Sequence, residues 1–121
     1  MYKWVLITRF GISCDQRDKK ALKFLQYLCL IVEVISPSTE GFDRGKKFQN
    51  YRKIETLKEY VLVNRDQKLI ECFRINQKGI WELYNFTEKE ELNLTSVDFN
   101  CLVDLIYENV ILFDKTKNEI F

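Results

Sequence analysis

Hydrophobic positions along this chain gather in short runs that are typical of β-strands. The strongest run covers residues 29–35, where β-forming residues continue almost without interruption until Pro37. Two shorter runs near the start also predict strands, residues 4–7 and 11–14. Between these runs, residues 21–28 favour a short helix. The first third of the chain is therefore expected to supply the first strands of a sheet.

Three further runs alternate between apolar and polar residues and predict an antiparallel meander: residues 59–64, 69–75 and 80–86. A helix is expected before the meander, from Asp43 as its N-cap to Ile54. A closing helix is expected within residues 99–110, after Ser96 or Asp98 as its cap. This order of elements predicts an α/β (α+β) fold in which helices pack against one mixed sheet.

The composition is that of an ordinary globular domain. The chain has 121 residues, of which 46% are hydrophobic and 31% are charged, so one domain spanning residues 1–121 is expected. The net charge is only +1, and attraction to nucleic acid or to an anionic membrane must therefore come from local clusters of charge. The chain has no histidine, which excludes the commonest general base and the commonest zinc ligand.

The four cysteines predict neither a disulfide framework nor a zinc site. They stand at positions 14, 29, 72 and 101, far apart in sequence and without a Cys-x-x-Cys pair. Cys29 and Cys101 fall in apolar stretches and are interpreted as small core residues. Free thiols suit a reducing compartment, and no apolar run reaches the length of a membrane span. A cytoplasmic protein without membrane contact is expected.

One carboxylate interrupts the apolar strand at residues 29–35. Alternation places Glu33 on one face of the strand with three residues: Cys29, Ile31 and Ile35. An ionised carboxylate in such surroundings is costly unless it is compensated. Two explanations fit the pattern. Glu33 is either the structural partner of a lysine or arginine, or a ligand for a hard cation such as Mg²⁺, which binds one or two carboxylates together with water and phosphate oxygens.

The segment after this strand concentrates positive charge at the start of the predicted helix. Residues 44–54 contain five basic residues and no acidic residue: Arg44, Lys46, Lys47, Arg52 and Lys53. Three of them lie in the first turn, where the helix dipole disfavours each positive charge by about 0.3–1 kcal/mol. This placement favours a phosphate-bearing ligand or a nearby buried carboxylate, and a solvated basic surface is the alternative. Asp43, Lys47 and Tyr51 follow at intervals of four and are expected to share one face.

These residues carry a resemblance to a known family. The block IVEVISPSTEGFDRGKKFQNYRKIETLKEYVLV, residues 31–63, closely resembles the Uma-two (Uma2) family of small restriction endonucleases. A looser similarity extends from Gly11 to Phe113. The resemblance implies the restriction-endonuclease-like PD-(D/E)xK fold, a mixed central sheet flanked by helices. It also implies hydrolysis of DNA phosphodiester bonds, with Mg²⁺ or Mn²⁺ as the cofactor.

By position, the resemblance assigns roles to individual residues. Glu33 matches the metal-binding acid of the family, and the carbonyl oxygen of Val34 is a further candidate ligand. Lys47 matches the residue that stabilises developing negative charge, with Asp43 and Tyr51 holding it in place. Two more basic residues of the helix are expected to contact DNA phosphates, Arg44 and Lys46.

The chain also departs from the family pattern. The second acid of such a site, the aspartate of a Pro-Asp pair, should fall near positions 8 and 9, where this chain has Thr8 and Arg9. Arg9 is therefore expected to compete for Glu33. Asp15 is the nearest candidate for a substitute acid, although it lies in a turn beyond the strand. The longer amino-terminal region of the family is not found in this chain, which predicts a shortened or degenerate member.

Two functions remain open from the sequence. The first is a Mg²⁺-dependent DNA endonuclease whose catalytic activity is impaired because it lacks the second acid. The second is a non-enzymatic remnant of the nuclease fold, a binding or oligomerisation module in which Glu33 forms an ion pair with Lys47 or Arg9. Sheet edges left exposed by a shortened fold would favour a homodimer.

Overall fold

A five-stranded mixed sheet forms the centre of the molecule. The computed structural model describes residues 9–19, 27–37 and 40–108. The strands follow one another across the sheet as they do along the chain: β1 Arg9–Ser13, β2 Leu28–Ile35, β3 Glu59–Asn64, β4 Leu69–Ile75 and β5 Trp81–Thr87. β2 and β3 are parallel, and every other neighbouring pair is antiparallel. The expected α+β fold with an antiparallel meander is confirmed.

Most strand predictions agree with the structure to within one or two residues. The predictions at residues 59–64 and 69–75 match β3 and β4, and β5 begins one residue later than expected. The strand predicted at residues 4–7 lies outside the described residues. The same is true of most of the helix predicted at residues 21–28, whose last residue, Leu28, belongs to β2.

One helical segment joins β2 to β3 and permits their parallel arrangement. It has three consecutive parts, which together are called α1: Glu40–Phe42, the π-helical turn Asp43–Lys47, and Phe48–Tyr51. The predicted N-cap role of Asp43 is wrong, because the helix begins earlier and the Asp43 side chain is buried. The predicted end at Ile54 is also wrong, since the helix stops at Tyr51 and the chain then turns toward β3.

The two faces of the sheet carry separate apolar cores. The face covered by α1, called the helix face, has a core of six buried residues: Ile31, Ile35, Phe48, Leu57, Tyr60 and Leu62. The core of the opposite face includes Leu30, Val32, Val61, Val63 and Ile70. The predicted placement of Ile31 and Ile35 on the face of Glu33 is confirmed. The placement of Cys29 there is wrong, because it packs in the opposite core, next to an irregular register between Ile12 and Ser13.

A second, two-stranded sheet covers the opposite face, which is called the hairpin face. It consists of β6 Glu91–Leu94 and β7 Phe99–Leu102, and Leu92 and Leu94 of β6 are buried while Glu91 and Asn93 are exposed. The prediction of a closing helix within residues 99–110 is only partly correct. The helix begins at residue 103, and the residues before it form β7. Within the described part of the chain, no helix has both the length and the apolar composition needed to cross a bilayer.

Cys14 and Cys29 form a disulfide bond, with their Cα atoms 5.9 Å apart. The prediction that the chain lacks disulfides is therefore wrong. The two cysteines are 15 positions apart in sequence and meet only because β1 and β2 pair as antiparallel neighbours, with Ser13 opposite Leu28. The other two cysteines, Cys72 and Cys101, are not in disulfide bonds.

Candidate active site around Glu33

Glu33 lies inside the core of the helix face. Its position in β2 directs the side chain toward α1, and the residue is only 2% exposed. Its neighbours across the sheet are Arg9 of β1 and Leu62 of β3. A carboxylate at this depth requires donors or positive charge to compensate its lost hydration.

Lys47 supplies the nearest positive charge. Its Nζ lies 3.0 Å from Oε1 of Glu33 and 2.9 Å from Oδ1 of Asp43, four residues earlier in α1. Burial lowers the pKa of Lys47, but its contacts with the Asp43 and Glu33 carboxylates outweigh that effect, so the pKa lies above the ordinary value. Lys47 is therefore charged at neutral pH and links the two carboxylates.

Asp43 keeps one oxygen that is not hydrogen bonded within the described residues. Its Oδ1 is buried and forms an ion pair with the Lys47 ammonium at 2.9 Å, but it accepts no hydrogen bond from the described residues. Buried polar oxygens nearly always have a partner. This oxygen can therefore accept a further donor or a cation.

Tyr60 of β3 fixes the other oxygen of Glu33. Its hydroxyl lies 2.8 Å from Oε2 of Glu33 and 3.0 Å from the carbonyl oxygen of Asp43, and its one proton can be donated to only one of them at a time. Burial and the adjacent Glu33 carboxylate raise the pKa of Tyr60, so the hydroxyl stays protonated. Tyr60 is not among the site residues predicted from the sequence. The alternation of β3, which places it on the same face as Leu62, could have identified it.

Arg9 approaches Glu33 from the neighbouring strand. The two residues are direct cross-strand partners, and Nε of Arg9 lies 3.9 Å from Oε1 of Glu33. The guanidinium also donates a hydrogen bond of 2.9 Å to the hydroxyl of Tyr51. The side chain of Arg9 is 56% exposed, in contrast to the buried Glu33. The predicted proximity of Arg9 to Glu33 is confirmed. Of the two residues expected to hold Lys47, Asp43 contacts Lys47, whereas the hydroxyl of Tyr51 contacts Arg9.

A second buried acid lies in the same row of the helix face. Glu33, Leu62 and Glu71 are neighbours on three successive strands, which separates the two acids by about 10 Å at the backbone. Arg44 binds both carboxylate oxygens of Glu71, and Asn64 donates to Oε1 at 3.1 Å. Glu71 is not among the site residues predicted from the sequence, although alternation along β4 would place it on this face. A contact of Arg44 with DNA would have to compete with this ion pair.

The other predicted site residues lie at the edge of this arrangement or outside it. Asp15 follows β1 at the end remote from Arg9, where it forms an ion pair with Arg17 at 2.7 Å. The hydrogen bond from Arg17 lowers the pKa of Asp15 to about 2. Lys46 is exposed on α1. Val34 follows Glu33 in β2, and its side chain packs on the hairpin face.

The residues that surround Glu33 form a charge-balanced group. This group, called the Glu33 cluster, consists of Arg9, Glu33, Asp43, Lys47 and Tyr60. It has two carboxylates and two cations, so its formal charge is zero. Within residues 9–19, 27–37 and 40–108, no three or more acidic, cysteine or histidine side chains gather as a metal-binding group.

Comparison with known proteins places the chain in a family. Residues 8–103 match the model of the Uma2 family, described as putative restriction endonuclease. The chain is similar to the uncharacterised protein slr1290 of Synechocystis sp., with 39% identity over 100 residues that cover 83% of this chain and 53% of that protein. It is also similar to sll1609 of the same organism, with 44% identity over 46 residues, or 38% of this chain and 23% of that protein. The chain spans about half the length, or less, of these curated relatives.

A crystal structure of a putative nuclease of the DUF820 family from Anabaena variabilis has a similar fold. Its TM-score is 0.53 at 15% identity, and the similarity covers 74% of this chain and 47% of that chain. At this level of identity the comparison establishes the fold alone. The family match over residues 8–103 shows that the chain belongs to the Uma2 family of putative restriction endonucleases.

Proposed function

We propose that this chain is a Mg²⁺- or Mn²⁺-dependent endonuclease domain that hydrolyses phosphodiester bonds of DNA. The observation that carries the proposal is the convergence of the buried Glu33 and Asp43 on Lys47 within a nuclease-like fold. Membership of a restriction endonuclease family supports DNA as the substrate. The cytoplasmic location expected from the sequence rested on free thiols, and the Cys14–Cys29 disulfide removes that argument.

The donor set of the Glu33 cluster suits a hard divalent cation. Mg²⁺ prefers oxygen ligands and is commonly held by one or two carboxylates, with water and phosphate oxygens completing its coordination. Glu33 and Asp43 provide two carboxylates that both contact the Lys47 ammonium and therefore lie close to each other. The buried Oδ1 of Asp43 has capacity for another ligand. Glu33 and Asp43 would hold the cation, with the Val34 carbonyl as the third candidate donor.

The residues of the chain have separate parts in the proposed reaction. A bound cation would polarise a phosphoryl oxygen and lower the pKa of a water molecule. Lys47 would stabilise the negative charge that develops on the phosphate oxygens. Tyr60 keeps the Glu33 carboxylate in a fixed orientation through its hydrogen bond, and Asp43 keeps the Lys47 ammonium near Glu33. Because Glu33 is buried, bulk water does not weaken these interactions.

The outer surface of α1 is the proposed contact for the DNA backbone. Lys46 is exposed there and can bind a phosphate directly. Arg44 is 29% exposed at its side chain and is held by Glu71, so its proposed contact with a phosphate would have to compete with that pair. Replacement of Lys46 by glutamine should weaken DNA binding similarly for all sequences, because a phosphate contact carries no base specificity.

Cleavage of supercoiled DNA tests the proposed activity. The parent chain is compared with Glu33→Gln and Lys47→Gln in Mg²⁺, in Mn²⁺ and in EDTA. Each replacement should slow metal-dependent cleavage by about 10²–10³, the usual effect of removing one electrostatic group. Lys78→Gln is the control, because it removes a charge from the exposed turn after β4. Equal cleavage by the parent and Glu33→Gln would refute the assignment.

A second function is favoured by the contact between Arg9 and Glu33. In this alternative the ion pairs of Glu33 are structural, and the chain is a non-enzymatic module that binds DNA or forms a homodimer. β1 and β5 are edge strands within the described sheet, and such edges can pair with a second copy. DNA binding measured by fluorescence anisotropy, or a dimer mass measured by light scattering, without metal-dependent cleavage would support this alternative.

A further inference from the structure

The two carboxylates of the Glu33 cluster are already balanced by two cations, Lys47 and Arg9. The cluster therefore has no excess negative charge to attract a metal ion. Lys47 contacts both Glu33 and Asp43, which leaves one negative charge. Arg9 then brings the formal charge to zero through its contact with Glu33. A divalent cation added to this neutral group would face two positive charges within a few ångströms. Coulomb repulsion at such distances is substantial near a protein surface.

Strand register and Tyr51 hold Arg9 in this position. The β1–β2 pairing sets Arg9 directly opposite Glu33. The hydrogen bond to the hydroxyl of Tyr51, a residue of α1, then holds the guanidinium from the helix side. The position of the charge therefore depends on the sheet and on the helix together.

We infer that Arg9 lowers the affinity of the Glu33 cluster for divalent cations by supplying a competing positive charge beside Glu33. The inference rests on the proposed metal site and concerns its regulation. Arg9 differs from Lys47 in being more than half exposed and 3.9 Å from the carboxylate. Its charge can therefore be removed while the contacts of Glu33 with Lys47 and Tyr60 remain.

Calorimetric titration of the folded chain with MnCl₂ and with MgCl₂, in the absence of DNA, measures this effect. The affinity for the cation should increase from the parent to Arg9→Gln, by at least about tenfold, which corresponds to 1.4 kcal/mol. It should increase further in Arg9→Asp, which adds a third carboxylate to the cluster. The rise in melting temperature on addition of the cation provides a second readout and should follow the same order.

Matched controls separate a local effect from a change in overall charge. Lys78→Gln and Lys78→Asp make the same two charge changes in the exposed turn after β4 and should bind the cation as the parent does. Equal affinity of the parent and the Arg9 variants, with binding abolished by Glu33→Gln, would overturn the role of Arg9 and leave the metal site standing. Absence of binding in the parent and in both Arg9 variants would overturn the metal site as well. An equal gain in the Lys78 variants would also overturn the inference.

Discussion

Each buried acid of the helix face is matched by a basic residue from the π-helical turn of α1. Lys47 contacts Glu33, and Arg44 binds Glu71. The sequence left three explanations for the positive charge of this segment: a phosphate ligand, a buried carboxylate or a solvated basic surface. The structure shows the carboxylate explanation for both residues. The prediction that they lie in the first turn of the helix is wrong, because α1 already includes Glu40–Phe42, so the helix dipole disfavours them less than expected. Lys46, which is exposed between them, remains available for a ligand.

Replacement of Lys47 by methionine should destabilise the fold strongly. The change would leave Glu33 and Asp43 buried without the ammonium that both contact, and breaking a buried pair by removing one partner costs about 3–5 kcal/mol. The free energy of unfolding is measured by urea denaturation at pH 7. Lys46→Met on the same helix is the control and should change it by no more than about 0.5 kcal/mol. Similar losses in the two variants would contradict a special role for Lys47.

At the scale of elements, one aromatic side chain fixes α1 to the sheet. Phe48 packs against three aromatic rings of three strands, with centroid distances of 5.2 Å to Tyr60, 4.5 Å to Phe73 and 5.3 Å to Trp81. Phe48 directly follows Lys47 in the helix. Its anchoring therefore also determines how far the Lys47 ammonium reaches toward Glu33.

Truncation of Phe48 tests whether its ring stabilises the fold by packing α1 against the sheet or only by favouring the helix. Phe48→Ala removes a buried ring and should lower the free energy of unfolding by about 3–5 kcal/mol. Phe42→Ala makes the same chemical change in α1 at a position that is 55% exposed, and its effect should be much smaller. Denaturant unfolding of both variants provides the comparison. Equal decreases in the free energy of unfolding would mean that a phenylalanine ring stabilises the helix itself and not the contact between the helix and the sheet.

At the scale of the whole molecule, a buried acid ties each face of the sheet to the element that covers it. On the hairpin face, Glu59 accepts hydrogen bonds from Arg74 at 2.8 Å and from the backbone N–H of Ser96 at 2.9 Å. Ser96 lies in the turn between β6 and β7, so this contact fixes the second sheet to the first. On the helix face, Glu71 makes the corresponding tie to Arg44.

These two ties predict that stability falls in acid. Burial alone would raise the pKa of Glu59, but hydrogen bonds from Ser96 and Arg74 outweigh it and the pKa is lowered. The pKa of Glu71 is lowered in the same way by Arg44 and Asn64. A lowered pKa in the folded state gives stability that is present above the unfolded pKa of about 4.3 and is lost as the pH falls through the folded value.

The free energy of unfolding should therefore decrease as the pH is lowered from 5 toward 3. Glu71→Gln should flatten this dependence, because it removes one of the two linked carboxylates while a hydrogen bond to Asn64 can remain. Glu91→Gln, at an exposed position of β6, is the matched control and should keep the slope of the parent. Denaturant unfolding at a series of pH values measures both slopes. A parent chain with no acid dependence in this range would contradict the prediction.

The parts of the site that could be predicted from sequence depend on backbone periodicity. Alternation along β2 placed Glu33 in the core, and the spacing of four residues placed Asp43 beside Lys47. The strand β6 was missed although Leu92 and Leu94 alternate with polar residues, because four residues are too few to outweigh the helical pattern that follows. Tyr60 was not predicted because a tyrosine in an alternating strand is usually counted as an apolar core residue, although its hydroxyl can form hydrogen bonds.

The sequence is sufficient to predict that one acid lies in an apolar central strand, that basic residues follow it on a helix, and that the chain resembles the Uma2 family. Which partner each charged side chain has is visible only in the tertiary structure. Arg9 reaches Glu33, Arg44 reaches Glu71, and Cys14 bonds to Cys29 because of strand register and helix docking. Periodicity determines the face on which a residue lies, whereas its partner depends on contacts between segments distant in sequence, which only the assembled sheet establishes.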